Sequence, residues 1–379
     1  MNATCIMPGQ PISLTTDSAF HRNTYDSRVI SLDSKNLAIA TPTLKGLKVP
    51  LNVGFVVHLS IETADGSCRF TTEVLAGDTG RHALVLRLPA DCQMLPNSSP
   101  AAARCRFIAV TSGKGGVGKT SFVINYAIAL AERGRKVLLF DADLGMANVD
   151  VLMKTSSRSS IVDVIEGYRS MHEVITPTAY GIDIIAGGSG MATLGALAPA
   201  QMQRITLGFK WLESHYDYVL IDTGAGLSKN VTSFVFAADE TIVVTTPEPH
   251  AITDAYSIIK VILEESRDVK LKLLINKCES NSEGIDVMKR VSRVIRNFLD
   301  YTVTPIGCMP ESRSVSRSIR EQVPLMASHP NSDVAKCLRG IAETETLSDA
   351  VSRLEDAETE KRPTGESFVG RFMRRFKMA

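Results

Sequence analysis

The sequence predicts an α/β protein: a mostly parallel, doubly wound sheet, preceded by a small antiparallel β domain and followed by a C-terminal amphipathic helix. Three observations predict it. From Phe107 to about Ile341, short apolar runs alternate with helix-length amphipathic segments. From Asn36 to Pro89, short alternating runs are separated by Asp-Gly and Gly-rich turns. The closing residues, 367–379, interleave Phe with Arg and Lys.

At 379 residues the chain is long for a single core and suits two domains with tails. With 42 Lys and Arg against 41 Asp and Glu, the net charge of +1 provides no global attraction to nucleic acid, and no direct nucleic-acid partner is expected. The seven cysteines (Cys5, Cys68, Cys92, Cys105, Cys278, Cys308 and Cys337) form no CxxC pair, so neither a disulfide framework nor a metal site is expected. The first thirteen residues lack a basic stretch followed by an apolar one, and no run reaches about 18 apolar residues. A cytoplasmic protein is expected.

Taken in order, residues 27–95 read as a small barrel or sandwich, with strand candidates at Leu37 to Ile39, Gly54 to Ile61, Arg69 to Leu75 and Ala83 to Leu88. Residues 96–104, with Pro96-Asn-Ser-Ser-Pro100 and an alanine run, read as a linker. Residues 105–345 carry the sheet, with strands expected at Phe107 to Val110, Lys136 to Phe140, Ile182 to Ile185, Tyr218 to Ile221, Thr241 to Val244, Leu271 to Ile275 and Pro305 to Cys308. Their near-continuous apolar character suits strands covered on both faces. Residues 346–366 are acid-rich and read as a linker to the helix at 367–379.

The chemistry concentrates after the first strand of that sheet. Gly113, Lys114, Gly115, Gly116, Val117, Gly118, Lys119 and Thr120 satisfy GxxxxGK[ST], with Ser121 opening an amphipathic helix to Arg133. Glycines let successive backbone N–H groups converge on phosphate oxygens, and the helix N-terminus adds partial positive charge. Lys119 would neutralise the β- and γ-phosphates, and the Thr120 hydroxyl would ligate Mg²⁺. This is the phosphate loop of a P-loop NTPase.

The second lysine, Lys114, distinguishes this loop from a generic one. Lys114-Gly-Gly-Val-Gly-Lys119-Thr120 resembles the deviant Walker A motif of the MinD/ParA family, in which that extra lysine reaches the partner subunit's nucleotide across a dimer interface. Phe140-Asp141-Ala-Asp143, continuing to Asn148, looks like the family's switch I. The resemblance implies that Asp143 orients the attacking water, that Asp141 serves the magnesium shell or Lys114, and that Asn148 positions water or phosphate. Val219-Leu-Ile-Asp222-Thr-Gly224-Ala-Gly226 fits Walker B and switch II, with Asp222 ordering the Mg²⁺ waters and Gly224 or Gly226 offering an amide to the γ-phosphate.

Leu273-Leu-Ile-Asn276-Lys277-Cys-Glu279 has Glu where the guanine-reading NKxD motif has Asp, so ATP is favoured over GTP. By resemblance, Asn276 contacts adenine, and Pro310 and Glu311 form a second base-side loop, with Glu311 standing where the family usually has Asp. ATP and Mg²⁺ are the implied cofactors. Nitrogenase-iron-type reductases share the loop, but they need positioned cluster cysteines that are absent here.

Within the family the switch loops look most like the FlhG/FleN regulators of flagellar number and placement. That resemblance implies an ATP-hydrolysing, ATP-dependent homodimer. It also implies partners among a FlhF-like GTPase, a flagellar transcription activator and motor switch proteins. No Gln-rich activating motif precedes the loop; instead, residues 27–95 resemble the N-terminal barrel of YcgR-type PilZ proteins. Neither RxxxR nor [DN]xSxxG occurs within residues 27–95, so no cyclic-di-GMP site is expected there, and a protein-interaction barrel is preferred. The alternatives are a ParA-like partitioning ATPase for DNA or other cargo, and a nonhydrolysing nucleotide-gated adaptor.

As a helix, the tail aligns Phe368, Phe372 and Phe376, widened by Val369 and Met373, beside Arg371, Arg374 and Arg375. Such a face suits an anionic membrane, each basic residue contributing on the order of 1 kcal/mol. Peripheral attachment to the inner face of the cell membrane is expected, with a helix docked on the protein's own surface or on a partner as the alternative.

Overall fold

Period-two alternation in the N-terminal strands buries every second side chain, and that pattern closes them around a core. The computed structural model describes residues 11–16, 25–32, 36–44, 47–48, 53, 56–63, 66–76, 83–87, 93–96, 105–143, 148–188, 197–358 and 367–377. It divides into two units, Met1–Ala102 and Ala103–Ala379.

The first unit contains β1 (Pro11–Thr16), β2 (Tyr25–Leu32), β3 (Asn36–Ala40), β4 (Thr43–Leu44), β5 (Leu47–Lys48), β6 (Val56–Thr63), β7 (Gly66–Ala76), β8 (Ala83–Arg87) and β9 (Gln93–Pro96). All pairings are antiparallel, in the order β1-β6-β7-β8-β3-β2-β4-β5, and a β1–β2 pairing closes the sheet on itself. Ile12, Leu14, Val29, Leu37, Ile39, Val57, Leu59, Val74, Leu84 and Leu86 fill the interior. Closure requires β1, so the unit starts before the expected boundary at 27, which falls inside β2. At the other end Pro96, expected to open the linker, belongs to β9; 97–104 lie outside the described residues.

The second unit runs β10 (Arg106–Thr111), α1 (Lys119–Glu132), β11 (Val137–Ala142), α2 (Val149–Leu152), α3 (Ile161–Glu166), β12 (Ile175–Pro177), β13 (Asp183–Ile185), α4 (Pro199–His215), β14 (Tyr218–Thr223) and α5 (Lys229–Ala237). It continues through β15 (Glu240–Thr245), α6 (Pro249–Glu265), β16 (Leu271–Cys278), α7 (Asn281–Leu299), β17 (Thr304–Pro310), α8 (Arg313–Glu321), α9 (Leu325–Ser328), α10 (Asp333–Glu358) and α11 (Phe368–Lys377). The sheet order is β12-β13-β11-β14-β10-β15-β16-β17, and only the β12–β13 pair is antiparallel. β11 and β14 are buried along their whole length, as strands covered on both faces must be. Successive residues of β10 serve opposite layers: Ile108 packs toward α1 and α10, Phe107 toward α4 and α11.

Two C-terminal expectations change. The acid-rich stretch from 346 is helical as far as Glu358, and Glu345, Thr346 and Asp349 are buried; 359–366 lie outside the described residues. Cations at the strand starts explain it. Lys272 bonds Glu345 at 2.7 Å and Glu240 at 2.5 Å, while the Arg106 guanidinium pairs with Glu240, Glu345 and Asp349. A segment whose composition resembles a solvated linker is thereby ordered by buried charge pairing.

The tail is helical as expected, yet its aromatic stripe faces the protein. Phe368 stacks on Phe107 at 4.0 Å between ring centroids, and Phe372 lies 5.2 Å from Phe209 and 5.8 Å from Phe234. Both rings are buried, and Val369 and Met373 pack partly against the same cluster. Arg371 bonds Asp239 at 2.7 Å and the Ala237 carbonyl at 2.8 Å; Arg375 sits 4.4 Å over Phe236 and pairs with Glu265. The side chain of Phe376 lies outside the described residues.

So short a helix has little stability of its own, so its order depends on this packing. Removing a buried ring costs about 3–5 kcal/mol, more than enough to release the tail. Phe372→Ala is expected to speed tryptic cleavage at Arg371 and Arg374 at least about tenfold. An unchanged cleavage rate would mean that something other than these rings holds α11 in place.

Candidate functional site

A parallel sheet presents all its strand C-termini on one edge, and the chain reverses direction across the sheet at β10. The loop after β10 therefore meets the ends of β11, β14, β16 and β17. Asp141 on β11 and Asp222 on β14 are register partners, and Asp222 is in turn level with Val110 on β10. A cavity of about 890 Å³ opens there. Of the expected residues, Lys114 to Ser121, Asp143, Asn148, Gly224, Asn276, Pro310 and Glu311 line it.

Gly113 does not line the cavity. It packs against Asp254 of α6, where a side chain would collide with backbone, so its role is close approach. Asp141 and Asp222 are buried beneath the floor. The tail residues belong to the other layer of the fold, against α4 and α5.

α1 starts at Lys119 after Gly118, whose φ of +90° suits glycine, and no side chain caps its first turn. Uncapped N–H groups and the helix dipole make this end a ready receptor for anions. Lys119 is itself nearly buried and bonds Asp222 at 2.7 Å. Burial pushes the Asp222 carboxyl up, while Lys119 and the Thr120 hydroxyl pull it down. Asp141 is pushed up to about 7, chiefly by burial and then by Asp222. Against that, it accepts hydrogen bonds from the backbone N–H groups of Asp143 (3.1 Å), Asn148 (3.0 Å) and Val149 (3.2 Å). Asp141 thus ties both ends of the loop whose middle, 144–147, lies outside the described residues.

The Asp143 carboxylate lies against Gly224, since a Cβ built there would sit 3.6 Å from Oδ1. The loops after β11 and β14 therefore meet. Gly226 donates its N–H to the Ser112 carbonyl at 2.9 Å, joining the loop after β14 to the start of the phosphate loop. A magnesium nucleotide fits this donor set: an uncapped helix start, Lys119 and the Thr120 hydroxyl line one cavity, with the Asp141 and Asp222 carboxylates beneath its floor.

Three contacts were not legible in the sequence. Lys114 reaches Glu248, 3.6 Å away, with both side chains substantially exposed. Asn276 donates from Nδ2 to the Val117 carbonyl at 2.7 Å, and Lys277 donates to the Gly116 carbonyl at 2.8 Å. The Asn-Lys pair was visible as a motif, but its bracing of the phosphate loop depends on how β16 lies beside that loop.

Comparison with known proteins adds to this geometry. Residues 105–275 match the family model described as AAA domain, and residues 7–89 match the one described as flagellar protein YcgR. The antiactivator FleN of Pseudomonas aeruginosa is 36% identical over 236 residues, covering 62% of this chain and 84% of FleN. The flagellum site-determining protein YlxH of Helicobacter pylori is 34% identical, covering 62% of this chain and 80% of YlxH. The septum site-determining protein MinD of Bacillus subtilis is 31% identical, covering 62% and 87% respectively. Among solved structures, MinD of Pyrococcus horikoshii complexed with Mg-ADP superposes with a TM-score of 0.53 at 26% identity, covering 64% of this chain and 97% of that one.

Gly118 offers a direct test of the cradle. A side chain there would strain a positive φ and run into the Asn276 amide nitrogen. Gly118→Ala is expected to weaken MgADP binding at least about a hundredfold, as both strain and displacement of Asn276 act together. Calorimetric titration measures it, and retention of wild-type affinity would show that the cavity binds nucleotide in some other way.

Proposed function

From the premise that this chain belongs to the MinD/ParA-type P-loop ATPases, alongside the FleN/FlhG flagellar regulators, we propose that it is an ATP-hydrolysing dimerisation switch acting on flagellar number or placement. One observation carries the flagellar part. Residues 7–89 match a family described as flagellar protein YcgR, and the match to the flagellum site-determining protein YlxH runs over 238 residues, more than the first unit contains. The first unit then serves as a contact module for flagellar components, and a FlhF-like GTPase, a transcription activator and motor switch proteins are the partner classes.

In this proposal the phosphates lie along Gly115 to Thr120, and Lys119 exchanges its bond to Asp222 for one to phosphate. Magnesium, when bound, neutralises charge developing on the γ-phosphate, and Thr120 and Asp222 with Asp141 nearby would hold it. Asp143, beside Gly224, orients the attacking water, and Asn148 completes that wall. The Asn276 amide supports adenine: its Nδ2 is committed to Val117, which leaves Oδ1 to accept from an exocyclic amine. Among the described residues the Lys114 ammonium is held only by an exposed contact to Glu248, so little there opposes its transfer to a second subunit's nucleotide.

Membrane residence follows from the tail. α11 packs on α5, the helix immediately after switch II. Closure of switch II on a γ-phosphate shifts α5 and loosens Phe368 and Phe372. Each ring gains about 1.5–3 kcal/mol from burial wherever it is buried, so docking competes with insertion and a lone subunit stays off the membrane. Two released tails on one dimer bind with avidity.

Asp143→Ala is expected to cut hydrolysis about a hundredfold or more while an ATP-bound dimer accumulates on anionic liposomes. Phosphate release at the wild-type rate would refute the role of Asp143. A variant ending at residue 367 should still hydrolyse ATP but no longer sediment with those liposomes; undiminished sedimentation would rule the tail out as the anchor.

A further inference from the structure

Lys277, next to last in β16, has an unusual backbone conformation. Its φ is +56°, a left-handed conformation that lysine adopts at a cost, and the β16–β17 register shifts between Ile275 and Cys278 around it. The result is that two consecutive side chains of β16 reach the phosphate loop together. Asn276 holds the Val117 carbonyl at 2.7 Å and Lys277 holds the Gly116 carbonyl at 2.8 Å.

The geometry of the peptide unit gives those bonds a consequence. In a planar trans peptide the C=O and the following N–H point in opposite directions. Drawing the Gly116 carbonyl toward β16 turns the Val117 N–H away from β16, and drawing the Val117 carbonyl does the same for the Gly118 N–H. Gly116 and Gly118 have φ of +80° and +90°, which lets adjacent peptides align their N–H groups on one side. Gly118 must also lack a side chain for Asn276 to approach.

We propose that Lys277 is a positioning residue for phosphate binding: it presets the Val117 amide toward the phosphates by holding the Gly116 carbonyl. This rests on the nucleotide-site reading above. Lys277 lines the same cavity, but its ammonium is committed to the loop carbonyl and so acts through the loop, whereas Lys119 is the lysine proposed to meet the phosphates directly. Its bond is solvent-exposed, so the effect is a moderate one.

The test uses the full chain, with MgADP as the probe in calorimetric titrations and thermal melting in its absence. Lys277→Asn removes the ammonium but keeps a residue that tolerates the left-handed backbone. It is expected to melt like the wild type without nucleotide and to bind MgADP about tenfold more weakly. Lys277→Arg, which can donate to the same carbonyl, is expected to recover affinity to within about threefold of wild type. If Lys277→Asn does not fold, Lys277→Gly, which suits the backbone better still, takes its place with the same expectation. Wild-type affinity in Lys277→Asn overturns the proposal, as does a loss that Lys277→Arg leaves uncorrected. Wild-type protein that fails to bind MgADP overturns the nucleotide site itself, an outcome distinct from both.

Discussion

Asp141 and Asp222 face each other across neighbouring strands, both buried, with one lysine to offset them. Two carboxylates this close in a dry site cannot both ionise cheaply, and the strain is relieved by what surrounds them. Lys119 is drawn down onto Asp222, and three backbone N–H groups of switch I converge on Asp141. The same carboxylates that suit a cation thus hold the phosphate loop and switch I in register. In the proposed switch, moving Lys119 toward a phosphate would leave Asp222 needing another positive partner, which would couple nucleotide and metal in one step.

β10 connects this site to the rest of the unit. Its C-terminal end leads into the phosphate loop, Phe107 near its start stacks on the tail, and Arg106 anchors α10 through Glu240, Glu345 and Asp349. A single central strand therefore carries the nucleotide loop at one end and both C-terminal helices at the other. α11 also rests on α5, so the tail touches both the strand that leads into the phosphate loop and the helix that follows the loop after β14. The closed barrel of the first unit has its own core.

Much of the site was legible because its chemistry is local. The GxxxxGKT run, the Asp-ending strands and the Asn-Lys pair each require particular residue types at short spacing, and all line or underlie one cavity. The strands were legible because continuous apolar runs have few other fates in an α/β chain. Less visible was β1, whose only signal is Ile12 and Leu14 in a short polar stretch, and whose value lies in closing a ring with strands far along the chain.

The amino-acid sequence by itself determined the parallel sheet, the phosphate loop and an amphipathic C-terminal helix, because periodicity, glycine spacing and strand-end carboxylates are properties of neighbouring residues. Only the tertiary structure decided which way that helix faces, that an acidic stretch is helical, and which carbonyls Asn276 and Lys277 hold. Those outcomes depend on partners such as Phe107, Arg106 and Gly116, many residues distant, and on whether burial beside them outweighs exposure to water.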